Sequence, residues 1–181
     1  MMIISRKKAL QTLLNSFAFL PVFSKSKVAK RTPVATFLEA NKRSREYTLS
    51  VFEQMPEESM EFKPLPEMFS FQRHFTHCIE FTAGQLTNHL KIKDPFADIK
   101  WNDLSKAQTK QELNHFYDWV DTVVKGATPA QLAQTGNFGG DKEVDLLRLL
   151  YICENHLIHH RGALVVYLRQ KQIVPNGYVG W

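Results

Sequence analysis

The residues best equipped for chemistry lie in Glu154-Asn155-His156-Leu157-Ile158-His159-His160-Arg161-Gly162, where three histidines fall within five positions. His156 and His160 are four apart, so on a helix they stand one turn apart on one face. Two imidazoles so placed can hold one transition-metal ion between them. His159 is a step around the helix, facing a neighbouring helix or solvent. An upstream pair, His74 and His77, is three apart and shares a helix side with Phe71, Phe75 and Cys78. Imidazoles turned into a helical core are costly unless hydrogen-bonded or coordinated. Two ligands from one helix rarely suffice, so a third is expected from this pair, and only one of the two need face inward. Three histidines with one position left open make a catalytic zinc-type centre. No Glu-x-x-His pair recurs on two helices, which argues against a di-iron site. Glu80, one turn after His77, and Glu154 are the candidates for a general base; no catalytic residue is assigned.

These residues require long helices to position them, and four can be read. The first runs from about Pro33 to Gln54, with Phe37, Leu38, Tyr47, Leu49, Val51 and Phe52 at roughly helical spacing. A proline-punctuated connection, Met55 to Pro66, follows. The second helix is capped by Ser70 and reaches about Leu90, with Phe71, Phe75, Cys78, Ile79, Thr82 and Leu86 as its stripe. After a loop from Asp94 to Asp103, Ser105 caps a third helix to about Lys125, with Leu113, Phe116, Tyr117, Val120 and Val124 inward and Gly126 as its stop. Residues 127–141 form a loop in which Thr128 to Leu132 can make a helical turn and Thr135 to Asp141 a hairpin or flap. The fourth helix spans roughly Val144 to Lys171, with Leu146, Leu149, Leu150, Cys153, Leu157, Leu164, Tyr167 and Leu168 inward. The expected fold is all-α, a four-helix bundle with long connections between helices one and two and between three and four, hence not simple up-down-up-down. His89 and His115, at a helix end and on a helix exterior, read as solvated. Cys78 and Cys153 read as buried core thiols.

The net charge of +5 comes from the N-terminus. Residues 1–30 hold Arg6, Lys7, Lys8, Lys25, Lys27 and Lys30 and no acid; without those six the chain has 17 basic against 18 acidic residues. A basic face for nucleic acid is therefore not expected. The order basic, apolar, then small and polar over residues 1–30 is that of an export signal, which makes the protein extracytoplasmic, or cytoplasmic if the leader is not a signal. Its apolar part is too short and interrupted for a stable membrane span. Residues 31–181 are read as one bundle domain.

The motif His156-Leu157-Ile158-His159-His160-Arg161-Gly162, followed by Tyr167-Leu168-Arg169 and Pro175-Asn176-Gly177-Tyr178, resembles the DinB / YfiT-like family of four-helix metalloproteins. The same resemblance covers Met55-Pro56-Glu57-Glu58, Phe62-Lys63-Pro64, Phe69-Ser70 and the His eight residues after Phe69, so it extends over about residues 33–178. It implies a divalent metal, zinc or nickel, on His77, His156 and His160, with His74, His159 and Glu80 as secondary candidates; His74 falls a turn too early for the family pattern. It also implies a small-molecule substrate, a hydrolase or thiol-dependent transferase, and a homodimer. Ala163 stands where many relatives carry a Gln, so that amide's contact is missing here. Arg161 is expected off the metal face, pairing with a carboxylate. The alternative is a non-catalytic bundle, with the histidines hydrogen-bonded or clamping a structural metal whose fourth ligand is His74 or Cys78.

Overall fold

The computed structural model describes residues 31–139 and 143–179. The leader read in residues 1–30 lies outside them. Helix α1 is Pro33–Gln54, α2 Phe71–Leu90, α3 Lys106–Gly126, the short α4 Pro129–Ala133, and α5 Leu146–Gln170; strands β1, Thr135–Asn137, and β2, Glu143–Asp145, precede α5. Each long helix starts where a side chain can take up free backbone N–H groups. Thr32 accepts from Ala35 N before a proline at N1, and Ser70 accepts from Arg73 N. Ser105 and Gln108 close a reciprocal capping box on α3, as Thr128 and Gln131 do on α4. Lys91, at φ 56° in the left-handed region, ends α2.

The last helix begins at Leu146 rather than Val144. Val144 pairs with Gly136 in an antiparallel hairpin, and Asp145 both ends β2 and accepts from Arg148 N as the helix cap. The competing hairpin pairing and the Asp cap set that boundary; apolar periodicity at Val144 does not distinguish strand from helix.

The four long helices close a ring in which α1 touches α3 and α5, and α2 touches α3 and α5. Their hydrogen bonds give direction. Asn41 meets Asp121 while Glu53 meets Lys106, so α1 and α3 are antiparallel. Ser44 meets Arg161 and Gln54 meets Val174, so α1 and α5 are parallel. His74 reaches Tyr167 while Phe81 stacks on His156, so α2 and α5 are antiparallel. The bundle is thus up-down-down-up. The connections after α1 and after α3 cross its diagonals. The segment between α2 and α3 returns along the length of the bundle, filled by buried Phe96 and Trp101.

The inward stripes of α2, α3 and α5 read from the sequence are all buried, and Phe37, Tyr47, Val51 and Phe52 of α1 join them. Leu38 and Leu49 pack at the margin. Both cysteines are free and buried; burial pushes the thiol of Cys153 up to about 12 and that of Cys78 higher still. His89 departs from the expectation. It is buried, with Nε2 on the Gln134 carbonyl at 3.0 Å, while Gln134 Nε2 donates to the His89 carbonyl. The hairpin folds over the end of α2 and covers it.

Candidate metal centre

Helices α2 and α5 are antiparallel neighbours, and each presents histidines to the other. His77 comes from α2; His156 and His160 come from successive turns of α5. Each offers a ring nitrogen, and these three atoms lie within 4.8 Å of one another. The ring of His77 is centred 5.0 Å from that of His156 and 4.9 Å from that of His160. Nε2 of His156 and Nε2 of His160 stand 3.1 Å apart. Two nitrogens bound tetrahedrally to one zinc-sized ion are about 3.3 Å apart, so the pair is set for a shared cation with little adjustment. His160 is buried, whereas His77 and His156 are half-buried, which leaves one side of the cluster reachable from solvent.

The charge state fits the same reading. Burial lowers the pKa of all three rings, to about 3 for His160. Neighbouring imidazoles add to this at His156 and His160, as does the Arg73 guanidinium at His77, partly offset by Glu80. The rings are neutral near pH 7, the state a metal requires of imidazole.

The walls are aromatic. Phe81, one turn after His77, stacks on His156 with centroids 3.9 Å apart at 27°. Phe69 lies 5.1 Å from His77 and 6.3 Å from His160. Phe138, beyond β1, meets Phe81 edge-on at 6.3 Å.

His74 lies behind the cluster. Its Nδ1 is 2.7 Å from Nδ1 of His160, and its Nε2 is 3.0 Å from the Tyr167 hydroxyl, which donates to the Phe69 carbonyl at 2.9 Å. Burial, with His77 and His159 nearby, takes its pKa down to about 4. His159 is exposed beside His160, at 5.2 Å between rings. Glu80 is ion-paired with Arg73, which also sits over the Phe69 ring. Cys78 faces the interior.

Arg161 points away from the histidines into the α1–α5 seam. Its Nη1 donates to Ser44 Oγ at 3.0 Å, Thr48 Oγ1 at 2.9 Å and the Ser44 carbonyl at 3.3 Å, and its guanidinium lies over Tyr47. Glu154 is 4.0 Å from Nη2, so the expected carboxylate partner is present, although most of the hydrogen bonds go to neutral oxygens. Burial raises the pKa of Glu154 while Ser44 and Arg161 oppose that rise. Glu154 belongs to this internal network rather than to the histidine cluster.

Two contributors escaped the sequence reading. Tyr167 reads from the sequence as part of the apolar stripe and of the family motif, with no role at the site, yet it lies two turns beyond His160 on the same face, a spacing that puts its hydroxyl near His74. Phe81 lies four residues after His77, which makes it that ring's neighbour.

A family model described as the DinB superfamily matches residues 40–164. Among solved structures, a DinB-like protein from Bacillus subtilis has a TM-score of 0.63 at 15% identity, over 81% of this chain and 96% of the other. A DinB-like protein from Bacillus cereus has a TM-score of 0.58 at 21% identity, over 78% of this chain and 95% of the other. At these identities the likeness shows a shared fold alone. No curated protein matches the chain.

Proposed function

The chain belongs to the DinB superfamily, and on that premise we propose that it is a metal-dependent enzyme whose centre is held by His77, His156 and His160. The observation that carries this reading is the convergence of three imidazoles from two helices, with two Nε2 atoms 3.1 Å apart and, among the described residues, no carboxylate or thiolate closing the set. A divalent ion, zinc or nickel, bound by three imidazoles with a position left free acidifies a water or thiol that takes that position. The chain's own part is to hold three neutral rings, to keep Glu80 engaged with Arg73, and to line the approach with Phe69 and Phe81. Those walls favour a small molecule with an apolar body, which suits either hydrolysis or transfer of a low-molecular-weight thiol. Among the described residues no helix is long and apolar enough to cross a membrane. Export directed by residues 1–30 and assembly as a homodimer belong to the same reading.

The test is metal content after expression with zinc and nickel supplied. About one equivalent per chain is expected, lost on His77→Ala, His156→Ala or His160→Ala with the helical spectrum retained. Less than about a tenth of an equivalent in the unaltered protein overturns the proposal. Dimerisation is checked by light scattering, and export by the N-terminus of the mature protein.

A further inference from the structure

The Phe69 carbonyl can only accept, and its partner is the Tyr167 hydroxyl at 2.9 Å. That commits the tyrosine proton to Phe69, so the Tyr167 oxygen faces His74 Nε2, at 3.0 Å, as an acceptor. His74 must therefore carry its proton on Nε2 and present a lone pair at Nδ1. The His160 Nδ1, 2.7 Å away, is then the donor of that bond. The proton of neutral His160 is thereby fixed on Nδ1, and its Nε2 is left as a bare lone pair directed at His156 and the cluster. Reversing every proton would set the Phe69 and Tyr167 oxygens against each other as two acceptors at hydrogen-bond distance.

We propose that His74 and Tyr167 are positioning residues: the chain Phe69 carbonyl, Tyr167, His74, His160 locks His160 in the Nδ1–H tautomer and so holds its Nε2 ready for a metal ion. The inference rests on the metal-centre reading for its use, although the tautomer itself is a property of the metal-free protein. His74 thereby acts through His160 and is no ligand. A group that accepts a hydrogen bond from the far nitrogen of a ligand histidine fixes the ring's orientation and raises its basicity. His156 is held differently. Nδ1 of His156 is buried with no hydrogen-bond partner among the described residues, and its ring is held by stacking on Phe81. One α5 ligand is thus set by a proton relay and the other by packing.

The experiment reads the tautomer in long-range nitrogen–proton NMR correlation spectra of the metal-free protein at mildly alkaline pH, with His160 assigned by the signal lost in His160→Gln. Zn2+ affinity is measured in parallel by chelator competition. The unaltered protein should show His160 protonated on Nδ1. His74→Leu, which removes the acceptor, should shift His160 toward the Nε2–H form and weaken Zn2+ binding about 10–100-fold. His74→Asn places a carbonyl oxygen near the position of the lost Nδ1 and should recover most of both effects. Tyr167→Phe should leave His160 as a mixture of tautomers. An Nε2–H signal in the unaltered protein overturns the inference whatever the metal content. So does Zn2+ affinity unchanged in His74→Leu while the unaltered protein binds one equivalent, a result that leaves the metal centre standing. Absence of metal binding with the Nδ1–H signal present sinks the metal-centre reading and supports the relay.

Discussion

His156 lies flat against Phe81, ring centroids 3.9 Å apart and planes 27° from parallel. Among the described residues no hydrogen bond fixes this ring from behind, because its Nδ1 is buried without a partner there. The orientation of one proposed ligand thus depends on aromatic packing from the opposite helix. Phe81→Ala should leave the helical content intact and weaken Zn2+ binding about 10-fold, as measured by chelator competition. Phe81→Tyr, which keeps the stacked face, should bind like the unaltered protein.

Acid should destabilise the fold through the same histidines. Folded His74 and His160 titrate at about 4 and about 3, against an ordinary value of 6.5. Between those values the unfolded chain binds more protons than the folded one, so stability is fully present above about pH 6.5 and declines as pH falls toward the folded values. The urea midpoint should fall between about pH 7.5 and about pH 5, and His74→Leu should flatten that slope. A midpoint independent of pH over this range would show that the rings are not held neutral. Bound metal should steepen the dependence, because protons compete for its ligands.

Arg161 carries no expected role at the metal, and its loss should appear in stability. Arg161→Met leaves Glu154 buried beside Ser44 without its cation and should cost about 3–5 kcal/mol, measured by urea unfolding. Adding Glu154→Leu should recover most of that, because an apolar pair replaces the lone charge. If the single variant unfolds like the unaltered protein, the α1–α5 polar network does not hold the seam.

Gly136 is required by the ring of His89. A Cβ built there would come within 2.8 Å of His89 Nδ1 and 3.3 Å of Cε1. Gly136→Ala should cost about 1–3 kcal/mol through overpacking, and His89→Ala in the same chain should relieve it, as a double-mutant cycle would show.

Native thiols should be slow to react. With Cys153 at about 12 and Cys78 higher, thiolate is scarce and both side chains are shielded. Ellman's reagent should titrate both only in denaturant; rapid modification of the native chain would place one of them at the surface.

Much of this arrangement was legible in residue order. Apolar spacing located the core faces of all four long helices, and Ser70 and Ser105 marked two starts, because caps and stripes are local signals. Helix direction was less accessible. The long segments before Ser70 and after Gly126 indicate a topology other than simple up-down-up-down, as found, but they do not show that the connection around Phe96 and Trp101 is the one that runs the length of the bundle. That depends on which groove those aromatics fill, a tertiary fact. The α5 histidine pair was visible from its spacing, whereas choosing between His74 and His77 on α2 required the resemblance: three residues apart, they share a side, and only the packed partner helix decides that His74 bonds Nδ1 of His160 while His77 joins the cluster with His156 and His160. The burial of His89 is not legible locally, because the covering element, the β1–β2 hairpin, comes from remote sequence.

The diagonal wiring of the bundle also bears on folding order. His74 and His160 are 86 residues apart along the chain, and the α2–α5 seam that joins them closes only after α5, the last helix, has docked. Contacts of such sequence separation are penalised by loop closure and tend to form late. An ion held across that seam would therefore act as a latch on the final docking step, slowing unfolding more than it speeds folding. In a chain interrupted before α5, three helices could still collapse, but no cation would be retained, so metal uptake would mark completed folding.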